Sequence, residues 1–312
     1  MYSMKLTESE LKCLRLIARN SKASISEIAT ALSALPQQVS RVVRSLEERG
    51  FVMTKRVARS KTVYLSDTKH AVEWRSLILE FSHVPFEQLL AGGALEVLST
   101  IYCMKLKGRK EIAAQCTLVS ETAIAITIKR LKEVGIVQKK DSLYSVSPRF
   151  KTLSSLVTEF SHFLDQRVAS DFSRDAVVHW NCGNEFIIES KRSKEGNGFV
   201  LTGPSAFGRF GIPLLVPSNY FYHSPFTRKL SLEDNILHSL FIENRSMLPI
   251  LLVWKKNEKK LNMNYLTEQG EKYGVKRLLD EIGEYFRLEG RARRAGFPIW
   301  DEFQLRAKEY EL

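Results

Sequence analysis

Nowhere in the 312 residues is there a run of about 18 apolar side chains, so no membrane-spanning helix is expected. The four cysteines, Cys13, Cys103, Cys116 and Cys182, form no Cys-x-x-Cys pair, and no paired histidines accompany them. A zinc site is therefore not expected, and the thiols read as small buried groups in a reducing compartment. No Gly-Lys-Ser/Thr follows Gly203, Gly208 and Gly211, which removes a phosphate-binding P-loop. Between Arg209 and Arg228 there is no Asp or Glu at all. The opening residues Met1-Tyr2-Ser3-Met4-Lys5 lead into a helical pattern without a secretory apolar core. A cytoplasmic protein without metal, cofactor or catalytic residues is expected.

Basic residues, in contrast, are plentiful, and they are unevenly placed. The net charge is +12. Residues 1–164 hold 25 Lys and Arg against 15 Asp and Glu, whereas residues 165–312 hold 22 against 20. The surplus in the first half points to a polyanionic partner there.

The first half also repeats itself. Ser26-Glu27-Ile28-Ala29 lies over Lys110-Glu111-Ile112-Ala113, and Arg44 to Val52 over Lys129 to Val137. Glu80-Phe81-Ser82-His83 lies over Glu159-Phe160-Ser161-His162. Three matches in order, with small drifts in offset, indicate a duplicated module. Each copy reads as helix, helix, turn, helix, hairpin, helix. In the first copy Thr7-x-x-Glu10 and Ser24-x-x-Glu27 are capping boxes. Pro36 suits the first turn of a third helix that ends at Gly50. Phe51–Val57 and Thr62–Ser66 predict a hairpin around Ala58-Arg59-Ser60-Lys61, and a helix follows from Thr68 to His83.

Ile25 to Ala29 and Gln38 to Val52 make this stretch resemble the MarR-like winged-helix transcription regulators. On its third helix Val39, Val42, Val43 and Leu46 form the inward stripe, leaving Gln37, Gln38, Ser40, Arg41, Arg44 and Ser45 outward. Gln can pair with adenine, Arg with guanine, and Ser or Arg can hold phosphates. Lys55, Arg56, Arg59 and Lys61 make the hairpin a basic wing. Together these residues predict contact with double-stranded DNA. In the second copy the third helix, Ser120 to Arg130, is apolar on both stripes, and its wing shrinks to Lys139-Lys140-Asp141-Ser142. Packing or dimerisation suits it better than reading DNA, although Lys129, Lys132, Lys139 and Lys140 offer phosphate contacts.

The second half shows no such repeat. Val177–Trp180, Glu185–Ser190, Phe199–Thr202 and Leu214–Val216 read as short strands, with a turn at Glu195-Gly196-Asn197-Gly198. Helices are expected over Leu232–Glu243, Leu248–Lys256, Met263–Tyr273, Lys276–Arg287 and Trp300–Tyr310. Phe207, Phe210, Leu214, Leu215, Tyr220, Phe221, Tyr222 and Phe226 serve either as core or as a protein contact, with Arg209 and Arg228 at its edges. Arg291, Arg293 and Arg294 occupy a Gly-flanked loop. The Thr202-Gly203-Pro204-Ser205-Ala206-Phe207 turn looks like the strand-to-helix corner of nucleotidyltransferase-like proteins. With a winged helix before it, the layout is similar to AbiEi-type antitoxin regulators. Active nucleotidyltransferases require carboxylates soon after that corner, and the acid-free segment argues against transfer chemistry.

The expectation is thus an α+β chain: two tandem winged helix-turn-helix units followed by a small mixed sheet and a helical C-terminal region. Its domains are expected at 1–84, 85–164 and 165–312. The function expected is a homodimeric DNA-binding regulator, with a protein or small-molecule partner at the C-terminal domain. The alternatives are an antitoxin-like autorepressor or a nucleic-acid-modifying nucleotidyltransferase.

Overall fold

The computed structural model describes residues 3–57, 60–104, 108–116, 119–140, 143–226, 229–242, 246–291 and 295–312. Its contacts divide the chain into two compact units, Met1–Asp165 and Gln166–Leu312.

Helix α1 (Glu8–Asn20) begins at a reciprocal cap. The Glu10 N–H donates to Thr7 Oγ1 at 3.2 Å, and the Thr7 N–H donates to the Glu10 carboxylate at 2.6 Å. After β1 (Lys22–Ser24), the same device at Ser24 and Glu27 starts α2 (Ile25–Leu32). Helix α3 (Pro36–Glu48) places proline in its first turn, where an N–H has no helical partner to lose, and buries Val39, Val43 and Leu46. Strands β2 (Val52–Val57) and β3 (Ser60–Leu65) form the hairpin, and β1 pairs with β3 to give the order β1-β3-β2. Strand β1 was not anticipated, because three residues are too few to show a period of two; the pairing Lys22↔Tyr64 holds it. Helix α4 (Lys69–Glu80) closes this half.

The second half of the unit runs through α5 (Phe86–Leu89), α6 (Ala94–Cys103), α7 (Arg109–Gln115), α8 (Glu121–Glu133), β4 (Val137–Lys140), β5 (Leu143–Val146) and α9 (Lys151–Phe172). Helix α9 continues ten residues beyond His162, where the repeat ends. The two winged halves interlock rather than hang on a linker. Arg15 on α1 donates to the carbonyls of Ser82 (2.5 Å) and Val84 (3.0 Å) and pairs with Glu87. Arg130 on α8 donates to the Leu89 carbonyl at 2.9 Å. Phe81 stacks on Phe150, with centroids 4.8 Å apart, and Thr152 donates to Glu80 at 2.8 Å.

An aromatic cluster couples α9 to the end of α3. Phe51 meets His70 edge-on at 4.6 Å and Phe160 at 4.8 Å, while Phe163 lies 4.8 Å from His70. His70 is buried, and its Nε2 lies 3.0 Å from the Arg49 carbonyl. A carbonyl only accepts, so that nitrogen carries the proton. Burial lowers the His70 pKa to about 4 despite this bond, so the ring is neutral at pH 7.

The second unit contains a four-stranded sheet of β6 (Val177–Cys182), β7 (Glu185–Ser190), β8 (Phe199–Leu201) and β9 (Asn219–His223), in the order β6-β7-β9-β8. Every pairing is antiparallel, which corrects the expectation of a mixed sheet. Leu214–Val216 is not a strand: Leu215 is fully exposed, and the segment joins a 3-10 helix (Gly203–Phe210) to β9. One sheet face packs Phe186, Ile188, Phe199 and Phe221 against Ala169 and Phe172 of α9. Helices α10 (Leu232–Phe241), α11 (Leu248–Lys256), α12 (Met263–Tyr273), α13 (Lys276–Arg287) and α14 (Trp300–Glu309) gather a larger core around Ile250, Val253, Leu266, Ile282 and Phe303.

Candidate nucleic-acid interface

Helix α3 separates its two faces cleanly. Val39, Val43 and Leu46 are buried, whereas Gln37, Gln38, Ser40, Arg41 and Arg44 are exposed. Val42 is only half-buried, at the margin of the stripe. Ser45, expected outward, instead donates to the buried Glu10 carboxylate at 2.7 Å, and Arg49 pairs with the same oxygen at 2.8 Å. Glu10 thus caps its own helix with one oxygen and holds α3 with the other. Its second task was not legible in the sequence, because the capping box already accounted for the residue.

The exposed residues differ in how much they have left to offer. Ser40 Oγ donates to the Pro36 carbonyl at 2.9 Å. Gln38 Oε1 accepts the Leu35 N–H at 3.3 Å, leaving its amide hydrogens for a partner. Arg44 Nε lies 3.2 Å from Glu48 on the same helix, an exposed pair of little energetic weight. Leu35, which the sequence reading passed over, stands 65% exposed at the start of the helix.

The wing is two-sided. Arg56 and Lys61 are directly opposite across β2 and β3, so they share one face of the ribbon. That face lies towards α3, because Thr54 donates to Glu47 at 2.7 Å and Lys61 lies 3.8 Å from the same carboxylate. Lys55 occupies the other face, 5.8 Å from the Tyr64 ring centroid. Arg56, Lys61 and α3 are brought together, and Lys55 is set apart from them. Arg59 lies outside the described residues.

In the second copy the outward face of α8 carries Thr122, Ile126 and Lys129, and Ile126 is 61% exposed. Ile126 is thus left uncovered within the single chain, whereas Ala123 and Ala125 are half-buried. Lys129, Lys132, Lys139 and Lys140 are exposed. Asp141 and Ser142 lie outside the described residues.

The acids of β7 do not converge in the second unit. Glu185 is buried and accepts from the Tyr273 hydroxyl at 3.1 Å, whereas Glu189 lies 2.6 Å from His179 Nε2. Four residues apart on one strand, they are separated by roughly 13 Å. Ser231 and Asp234 form a capping box, and His238 is buried against Thr202 at 2.8 Å. Most of the aromatic segment is core: Phe207, Phe221 and Tyr222 are buried, and only Leu215 and Phe226 of the eight residues are exposed. Arg228, Arg293 and Arg294 lie outside the described residues. Burial pushes the thiols of Cys13 and Cys116 up to about 12, which makes them unreactive at neutral pH. No helix among the described residues is long and apolar enough to cross a membrane.

Three helices, a hairpin pinned by a short third strand, and an exposed polar face on the third helix define a winged helix-turn-helix at the N-terminus. Residues 6–60, from the lead into α1 to the start of β3, match the MarR family, whose members are winged-helix transcription regulators that bind DNA. Comparison of the chain with curated proteins gives no match.

Proposed function

We propose that the chain is a sequence-specific transcription regulator in which α3 enters the major groove and the Arg56/Lys61 face of the wing holds the backbone. The observation that carries this reading is that Gln37, Arg41 and Arg44 are exposed on α3 beside a wing whose Arg56/Lys61 face lies towards that helix. The domain scheme is 1–84 for reading, 85–164 for packing or dimerisation and 165–312 as a platform for a protein or small molecule. The active form is a homodimer. Val72 and Leu79, exposed together one face of α4, support that assembly.

Arg41→Ala and Arg44→Ala are each expected to weaken specific binding by about 1–3 kcal/mol, as for lost base-edge contacts. Fluorescence anisotropy on a selected duplex measures this; unchanged affinity in both folded variants would sink the assignment. The exposed Glu48 pairing of Arg44 is too weak to separate the two variants by more than about 0.5 kcal/mol.

The wing is tested through salt. Arg56→Ala is expected to reduce the slope of log K against log salt by about 0.9, one phosphate contact. Lys55→Ala, on the opposite face, and the double change Lys139→Ala/Lys140→Ala are expected to alter it far less. Equal reductions in all three would mean that both wings follow DNA alike.

A further inference from the structure

The recognition helix begins with a residue that helix stability does not favour. Side chains of Thr7, Ser24, Ser231 and Asn262 accept backbone N–H groups at the starts of their helices, whereas α4, α5, α6, α7, α11, α13 and α14 start without such a bond. At the start of α3 stands Leu35, with no side-chain cap bond. The duplication supplies an internal control. With Arg44 to Val52 laid over Lys129 to Val137, the position matching Leu35 in the second copy is Ser120, whose side chain accepts the Ala123 N–H at 3.3 Å. The copy with the polar reading face thus forgoes the cap that its duplicate keeps, and exposes a large apolar side chain instead. Gln38 steadies the site by accepting the Leu35 N–H. A shallow hollow of about 420 Å³ adjoins it, lined by Leu35 and Pro36 together with Ser26, Thr30 and Ser33.

We infer that Leu35 is a specificity-determining residue that reads the C5-methyl group of a thymine in the bound duplex. The inference rests on the DNA-reading function proposed above and specifies one base for that surface. Residues at the N-terminal end of a recognition helix meet base edges, and in the major groove the thymine methyl is the apolar feature that an aliphatic side chain can recognise. A local choice that sacrifices stability at such a position is what a functional constraint produces.

The test begins by selecting a preferred duplex from a randomised pool with the full chain. Each thymine of that duplex is then replaced singly by deoxyuridine, which removes the methyl and leaves the base pair. One replacement is expected to weaken wild-type binding about fourfold, the value of one buried methyl group. Leu35→Ser should bind the parent duplex more weakly, lose sensitivity to that replacement, and melt no lower than wild type because serine restores a cap. Leu35→Met should keep most of the sensitivity. If a preferred duplex is selected but no thymine shows this coupling, the Leu35 assignment falls while DNA reading stands. If no duplex is enriched, both fall.

Discussion

Gly50→Ala is expected to lower the unfolding free energy of the first unit by about 2–4 kcal/mol, from left-handed backbone strain plus overpacking. Gly50 has φ +73° and ends α3, its N–H donating to the Glu47 carbonyl at 3.0 Å. A Cβ there would lie 2.5 Å from Phe163 Cζ, well inside contact distance. Two costs therefore combine, and they can be separated. Phe163→Ala removes the obstructing ring, so the double variant should lose less than the sum of the two single losses, leaving mainly the backbone strain. Urea unfolding of the four proteins measures this cycle; strictly additive losses would show that the ring moves aside freely.

The second large effect is a loss of stability on acidification. His70 titrates near 4 when folded and near 6.5 when unfolded, so between those values the unfolded chain binds the extra proton. Stability conferred by the neutral ring is complete above pH 6.5 and declines as the pH falls towards 4, by about 3 kcal/mol in all. His70→Gln retains a donor for the Arg49 carbonyl and cannot titrate. Unfolding free energies measured from pH 7 to pH 4 should fall more steeply for wild type than for this variant. Parallel profiles would assign the acid sensitivity to other groups.

Features set by neighbours in sequence were legible before the fold was known. Thr7 with Glu10, Ser24 with Glu27, and Ser231 with Asp234 cap their helices as expected, because a capping box is closed within four residues. The buried stripe of α3 followed from its period. What escaped depends on distant partners. Ser45 looked outward by spacing, but Glu10, thirty-five residues earlier, turns it inward. His70 gave no signal at all, since its neutrality comes from Phe51, Phe160 and Phe163 closing around it. Leu214–Val216 has strand-like residues, yet Gly211 and Pro213 before it break regular structure, and Tyr220 to Tyr222 take the place beside β7. At the candidate site the residue types were readable, but not the sidedness of the wing, which rests on the register between Arg56 and Lys61.

Glu47 and Glu48 give the proposed reading surface a property that its cation count hides. Glu47 holds Thr54 and lies near Lys61, while Glu48 holds Arg44. The protein therefore carries two built-in counter-ions at the place where a polyelectrolyte would dock. Exposed pairs of this kind are weak, so a cation that exchanges its carboxylate for a phosphate gives up little. Near the phosphates, the carboxylate it leaves behind becomes a source of repulsion. Random duplex should thus be held loosely, and a sequence whose base edges offset that repulsion should be held long enough to matter.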